Sequence, residues 1–494
     1  MNKKEMTMNK MKIILLLTVL TLASACEDWL GIIPPQGLIR EEFWKTKEDV
    51  QAVIMAAYEH FASLDGTLFK FGEIRADMVV GDSNQGDDER KVSEGNIYPD
   101  NSMCNWEDFY VVINYCNEVI MNAPLVQEID DTFTDYQLKS YLSEATFLRS
   151  LAYFYLVRVY RDVPYVTEPT ETDDADVYPA KMDGDELLQF LIPDLEEARR
   201  YATTDGYQTL DEIKGRATKA AIDALLADIS LWLFDYEAVV TYVQRIEGNM
   251  EIALMPSSRW FEIFYPGNSL ESIFEFQFED PNQQNSTYGL TRYYGYTYDP
   301  SQKAVEMFGT DYAREFNRGQ DASIAEPSSD DFIIWKYVGR APDGETERAS
   351  SDQHSCNWVV YRLADVLLMK AEALSQLSRF PEALYYINLI RERADVTLLS
   401  LPDSPTAYED AILQERALEL AFEGKRWFDL LRMGRRNDYA RKSNLIEIII
   451  ANVPSTQKRI LATKLTNPLG WYMPIAEEEI ERNPNLVQNP YYIF

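Results

Sequence analysis

Residues 358–395, WVVYRLADVLLMKAEALSQLSRFPEALYYINLIRERAD, together with residues 415–434, ERALELAFEGKRWFDLLRMG, decide the fold. Leu363, Val366, Leu367, Met369, Ala371 and Leu374 recur at helical spacing, which predicts an amphipathic helix. Phe380-Pro381 breaks that pattern and starts another helix, because proline suits a first helical turn, where its missing N–H costs nothing. The new series is Ala383, Leu384, Ile387, Ile390 and Ala394. With a last pair from Ala407 to Gly434, the stretch from Trp358 to Gly434 reads as four consecutive helices.

Two short antiparallel helices with alanines at the crossing (Ala371, Ala373, Ala383) and an aromatic at the turn (Phe380) follow the logic of a tetratricopeptide-type repeat. Such a hairpin cannot bury its apolar face alone and must stack on another. The arrangement recurs upstream. Gly215 to Ile246 places Ala220, Ala224, Leu225, Ala227 and Leu231 on one helix, Asp235-Tyr236 at a turn, and Ala238, Val239, Val243 and Ile246 on the next, so that Tyr236 matches Phe380. Leu142 to Val166 and Asp185 to Ala202 make a further pair, giving about four degenerate helix pairs in two blocks.

The chain has 494 residues, enough for a large core, and a formal net charge of −34. Residues before Cys26 carry a net +3, so the remainder carries −37. A surface this acidic repels phosphate backbones and anionic lipid, which excludes nucleic acid as a general partner and excludes an electrostatically held membrane face. The four cysteines, 26, 104, 116 and 356, do not form a disulfide framework, and the two histidines, His60 and His354, have no metal-ligand cluster beside them. No metal or cofactor is expected.

Lys10 and Lys12 precede the ten apolar residues Ile13 to Leu22, followed by Ala23-Ser24-Ala25-Cys26. The run is too short to span a bilayer and has the form of a signal-peptide core ending at a lipobox-like site, which predicts lipidation of Cys26. Pro34-Pro35 lies in an extended tether. Glu41 to Leu64 then reads as an amphipathic helix with Thr46 as its cap, and Asn105 to Ala123 as another. Between them, Gly81 to Cys104 is polar and Gly- and Asn-rich, long enough to be a binding loop. From about Glu251 to Asn357 the helical period fades. ESIFEFQFED alternates as a strand with one polar face, FIIWKYVG (Phe332 to Gly339) reads as a second strand, and Ser286 to Pro300 holds five tyrosines.

The two loops supply what a sugar site requires: flat aromatic faces for the C–H side of a ring, and amides or carboxylates for its hydroxyls. The candidate ligand residues are Asp82, Asn84, Gln85 and Tyr98 from the first loop, and Tyr288, Arg292, Tyr293, Tyr294, Tyr296 and Tyr298 from the second. Glu415, Glu419 and Glu423 recur at four-residue spacing and could be posed as a glycosidase acid pair. Interleaved Arg416, Arg426 and Arg432 favour ion pairing instead. No nucleophile elbow, zinc motif, phosphate loop or dinucleotide fingerprint is present, so no catalytic residue is assigned.

Five segments in order, LRSLAYFYLVRVYRDVPYV, GRATKAAIDALLADI, YRLADVLLMKAEAL, ERALELAFEGKRWFDLLRMG and WYMPIAEEEIERNPNLVQNPYY, resemble the SusD/RagB family of outer-membrane nutrient-binding lipoproteins. The resemblance covers nearly the whole mature chain. It implies a mostly α-helical protein whose tetratricopeptide-like pairs form a curved frame around a loop-rich lobe with a few short strands. It further implies a lipid-anchored binding protein on the outer face of the outer membrane. Such a protein captures an oligosaccharide, or in some members a peptide, and delivers it to a SusC-like TonB-dependent transporter, without catalysis. The expected organisation is a signal peptide over 1–25, a tether over 26–40 and one domain over 41–494. In that domain the frame spans about 130–250 and 358–436, and the ligand lobe about 65–105 and 251–357.

Overall fold

A computed structural model of the chain describes residues 43–170, 178–204, 207–279, 283–287, 290, 297–309, 317–328, 331–340, 346–348, 355–451 and 453–493. The first elements are α1 (Lys47–Ala62), α2 (Asp65–Glu73), β1 (Val79–Gly81), α3 (Asp87–Ser93), α4 (Glu107–Ile129) and α5 (Asp135–Tyr160). They are followed by β2 (Val163–Pro164), β3 (Lys181–Met182), α6 (Gly184–Tyr201), α7 (Leu210–Lys214), α8 (Lys219–Trp232) and α9 (Tyr236–Glu247). The middle holds β4 (Ser272–Phe276), β5 (Tyr298–Pro300), α10 (Gln302–Phe308), β6 (Ile324–Ser328), β7 (Asp331–Ile334) and β8 (Trp358–Arg362). The last part is helical: α11 (Leu363–Gln376), α12 (Phe380–Arg393), α13 (Pro405–Glu419), α14 (Arg426–Tyr439), α15 (Lys442–Ala451), α16 (Ser455–Leu465) and α17 (Glu477–Arg482).

The helices pack as a series of neighbours, α1 on α4, α4 on α5, α5 on α6, α6 on α8, α8 on α9, α9 on α11 and α11 on α12. The α8–α9 and α11–α12 hairpins are the same object. Leu233, Phe234 and Asp235 donate their N–H groups to the carbonyls of Ile229, Leu231 and Ser230 at 3.0, 3.2 and 2.8 Å. Leu377, Ser378 and Arg379 do the same to Ala373, Ser375 and Leu374 at 3.0, 3.0 and 2.8 Å. In both turns a non-glycine residue, Phe234 (φ 64°) or Ser378 (φ 60°), takes the left-handed conformation that satisfies the helix's last carbonyls. Tyr236 and Phe380 then open the second helices at equivalent positions. Ala224, Ala227, Ala371 and Ala373 are fully buried where the helices cross. The architecture is therefore mostly helical and tetratricopeptide-like, with four two-stranded antiparallel ribbons among the described residues.

Three expectations need adjustment. Trp358–Arg362 does not begin a helix: it is β8, paired with β4 through Ser272↔Arg362 and Phe276↔Trp358. β4 does not turn a polar face to water either, since all five of its residues are buried. Glu275 stays there because Asn357 Nδ2 and Ser272 Oγ donate to its carboxylate at 3.0 and 2.9 Å. Of FIIWKYVG only the start is strand, as β7 ends at Ile334. The first helix starts at Lys47, where Thr46 and Asp49 form a reciprocal capping box, so the expected Thr46 cap is present. Cys104, Cys116 and Cys356 are buried free thiols.

The carboxylates posed as an acid pair are buried and engaged. Arg362 Nη1 lies 2.6 Å from Glu271 Oε1 and 2.7 Å from Glu419 Oε1, and its Nε donates to Glu423 Oε2 at 2.9 Å. Lys336 Nζ reaches Glu423 Oε1 at 2.7 Å, Arg318 Nη1 reaches Glu415 Oε1 at 2.5 Å, and Arg393 pairs with Glu419. Burial alone would raise the Glu419 carboxyl, but the guanidiniums of Arg393, Arg362 and Arg318 hold it well below the usual range. Next to this group, Arg432 and Arg436 hold Glu372, and its carboxyl falls to about 2 despite burial.

Removing Arg362 takes away the one cation shared by Glu271, Glu419 and Glu423 in the core and leaves them only their remaining partners Arg393, Arg318 and Lys336. Arg362→Met is expected to cost about 3–5 kcal/mol in denaturant unfolding, whereas Arg482→Ala, in an exposed pair with Glu479, is expected to change it by about 0.5 kcal/mol or less.

Glu73 behaves in the opposite way. It is buried at the end of α2, accepts one N–H from Lys425 at 3.2 Å, and its Oε2 has no hydrogen-bond partner among the described residues. Burial pushes its carboxyl up to about 8. The folded pKa exceeds the unfolded one, so the stability held by the protonated form is complete below about 4.5 and is lost as pH rises through about 8. Relative to the natural protein, Glu73→Gln should therefore gain melting temperature between about pH 5 and pH 8 and level off above that, and a gap constant with pH would refute this assignment.

Candidate functional site

The chain brings the two candidate loops together through one short ribbon. β1 and β5 pair antiparallel with Gly81 opposite Tyr298, and Asp82 N–H donates to Thr297 O at 2.9 Å just beyond it. The second loop is pinned at its other end by Asp65, which is buried at the start of α2. Its carboxylate accepts from Ser286 Oγ at 2.5 Å and from both the N–H and Oγ1 of Thr287 at 2.7 Å. Thr297 N–H returns to Leu290 O at 3.0 Å. A tyrosine-rich segment is thus held at both ends on a rigid helix and a ribbon, the usual way for a scaffold to present a binding loop.

Asp82, Asn84 and Gln85 lie where β1 runs out. Ser83 Oγ donates to Asp82 Oδ2 at 3.0 Å, Asn84 Nδ2 approaches the same oxygen at 3.5 Å, and Gln85 Nε2 donates to Ser93 Oγ at 3.2 Å. Asn84 is exposed, with Asp82 and Gln85 half-buried beside it. Together they offer carboxylate and amide groups at a rim. Asp299, half-buried between two buried neighbours on β5, lies near Asp82. Burial, then the nearby charges of Asp82 and Asp331, push its carboxyl up to about 7, and its Oδ1 has no hydrogen-bond partner among the described residues. Sequence reading passed over Asp299, although the Tyr-Asp-Pro run entering a strand was a usable signal.

Two candidate residues are placed elsewhere. Tyr298 is not a platform. It points inward with 1% of its surface exposed, its ring lies against Phe69, and its hydroxyl donates to Glu89 Oε2 at 2.9 Å. Glu89 also pairs with Lys70 at 3.0 Å, and these contacts hold its carboxyl below the usual range against the effect of burial. Tyr98 is half exposed, but it lines a separate groove of about 620 Å³ with Lys91, Glu477, Ile480 and Ile493. Tyr288, Arg292, Tyr293, Tyr294 and Tyr296 lie outside the described residues, as does Cys26.

The site can therefore donate and accept hydrogen bonds at a rim. Among the described residues no group of three or more histidine, cysteine or acidic side chains is arranged to hold a metal. The SusD family model matches residues 278–492, and a second family model, described as starch-binding associating with outer membrane, matches residues 28–231. The chain belongs to the SusD/RagB family.

A SusD-like protein of Formosa agariphila is 28% identical over 97% of this chain and 98% of its own length. One of Bacteroides ovatus is 25% identical over 85% and 82%. Among solved structures, a SusD superfamily protein from Bacteroides vulgatus superposes with a TM-score of 0.77 at 21% identity, covering 91% of this chain and all of that one. A laminarin-binding SusD-like protein superposes with a TM-score of 0.71 at 21% identity, over 90% and 99%. The SusD-like fold thus extends over about nine-tenths of the chain, and the family is one that associates with the outer membrane. No helix among those residues is long and apolar enough to cross a membrane.

The inward orientation of Tyr298 can be checked directly. Tyr298→Phe should lower stability by about 1.5–3 kcal/mol, the worth of a hydrogen bond to a charged acceptor, while leaving any saccharide affinity unchanged. Loss of affinity with unchanged stability would return Tyr298 to the binding surface.

Proposed function

We propose that this SusD-like chain is a surface lipoprotein, anchored through Cys26, that captures an oligosaccharide at the rim formed by its two paired loops and passes it to a SusC-like TonB-dependent transporter. The observation that carries the proposal is the β1–β5 pairing, which sets the loop of Asp82, Asn84 and Gln85 beside Thr297 and Tyr298, the residues that follow the tyrosine-rich stretch in sequence. Carboxylates and amides next to aromatic rings are the groups with which proteins hold sugar hydroxyls and ring faces. The starch-binding description of the matched family model and the laminarin-binding relative of the same fold support a glycan over a peptide. A binding role without catalysis fits the placement of Glu415, Glu419 and Glu423, which are committed to buried ion pairs rather than facing a cleft.

The test is titration calorimetry of protein beginning after Cys26 against neutral α- and β-glucan oligosaccharides and short peptides. Saturable binding of one glycan class is expected, weakened at least tenfold in the Asp82→Ala/Asn84→Ala double variant and in Tyr293→Ala. Binding confined to peptides, or glycan binding untouched by these variants, would overturn the assignment of ligand or of site respectively.

A further inference from the structure

A second cleft, built from other elements, carries the opposite charge. It has a volume of about 380 Å³, within the ~300–1,000 Å³ range of small-molecule sites, and lies among the end of α6, α7, the start of α8 and the turn after α9. No residue of the paired loops lines it. In a chain of net charge −34, its charged lining is Arg200, Lys214 and Lys219 against Glu251 alone.

Lys214 is the unusual member. It is 6% exposed, and its Nζ donates to Ser272 O at 2.7 Å. Among the described residues no carboxylate stands within ion-pair distance of it; Glu275 and Glu251 act on it only from further away. Buried ammonium groups in folded proteins are ordinarily paired, because an unpaired one forfeits hydration without compensation. Lys219, at the first position of the fourteen-residue α8, is exposed and makes no ion pair of its own among the described residues, and the positive end of that helix adds to the same field.

The rest of the lining is not that of a simple anion hole. Ile213, Ile252 and Ile273 are its larger apolar members, Tyr136 and Tyr201 provide rings, and Thr203 and Asn249 provide hydroxyl and amide groups. Tyr136 donates its hydroxyl to Thr203 Oγ1 at 2.5 Å, and Asn249 spends its side-chain oxygen on Glu251 N–H at 3.0 Å, which leaves the amide NH₂ as a donor. Rings, an apolar surface and neutral donors suit a pyranose, and the cations suit an acidic substituent on it.

We propose that this cleft is a second saccharide site, selective for a sugar that bears a carboxylate or sulfate, with the anion held by Lys214 and Lys219 and the ring against Tyr136 and Tyr201. The choice of a sugar rests on the glycan-capture function proposed above; the charge selectivity rests on the cleft itself.

The experiment is titration of the protein begun after Cys26 with digalacturonate, with its neutral dimethyl ester, and with galactose 6-sulfate. One of the two acids is expected to bind saturably, and the neutral ester at least tenfold more weakly; the tighter acid identifies the substituent. Lys219→Glu, a surface change that leaves the core intact, and Lys214→Met should each weaken acid binding at least tenfold. The Asp82→Ala/Asn84→Ala variant should leave it unchanged. Equal affinity for acid and ester, or indifference to Lys219→Glu, overturns the proposal, and competition by inorganic sulfate as strong as by the sugar overturns its saccharide part. If neutral glucans bind nowhere while digalacturonate still requires Lys219, the paired-loop reading fails and this cleft stands; the reverse pattern sinks the cleft alone.

Discussion

One guanidinium joins the two halves of the molecule. Arg362 is the last residue of β8 and leads directly into α11, and its partners come from three places: Glu271 before β4, Glu419 at the end of α13, and Glu423 in the turn beyond it. None of these charges is tolerable in the core by itself, so the strand ribbon and the last helix pairs can be buried only together. Lys336 and Arg318 extend the constraint to β7's exit and to the turn before β6, through Glu423 and Glu415. The irregular middle of the chain is therefore fastened to the helical frame by charge as well as by apolar contact, and the β1–β5 ribbon is built on that fastened base.

The helical frame was legible because its signals are local. A 3.6-residue apolar period, alanines at crossings and an aromatic opening the second helix all lie within about thirty residues, and the matched hydrogen bonds of the Phe234 and Ser378 turns show why both pairs read alike. β8 was not legible for the same reason. Trp358 to Met369 contains no glycine or proline, so an apolar strand runs into an apolar helix with no break, and period alone cannot separate a buried strand from a buried helix. Only pairing with β4, more than eighty residues earlier, decides it. The same non-local cause hid the burial of Glu275, whose polar partners Asn357 and Ser272 come from both sides of the ribbon.

At the candidate site, composition identified the two loops but not how they meet. Tyrosines crowded into one segment look equivalent in sequence, yet strand geometry separates them: once β5 begins, alternate residues face opposite ways, so Tyr298 and Pro300 turn in while Asp299 turns out. Tyr98 lies apart from Asp82 and Gln85, in a groove with Glu477, Ile480 and Ile493, because α3 and the short turn after it carry the chain toward the C-terminal segment before α4 starts. Such placements depend on how far a helix carries the chain, which residue type does not encode.

Charge then distinguishes the two candidate sites. Screening confines the field of the acidic exterior to about 8 Å at physiological ionic strength, so what a ligand meets at contact is the local lining rather than the net −34. At the paired loops the nearby groups are Asp82, Asp299 and Asp331, and burial first, then the like charges of Asp82 and Asp331, push the Asp299 carboxyl up to about 7. Neutral hydroxyls can bond there, and an anionic substituent would add a further like charge. Around Lys214 the balance is reversed, since a buried ammonium that donates to a carbonyl, with no carboxylate within ion-pair distance among the described residues, gains from an incoming anion what it lacks from the protein. Two surfaces of opposite preference on one rigid frame would sort a mixed polymer by its substituents, neutral units to one and acidic units to the other.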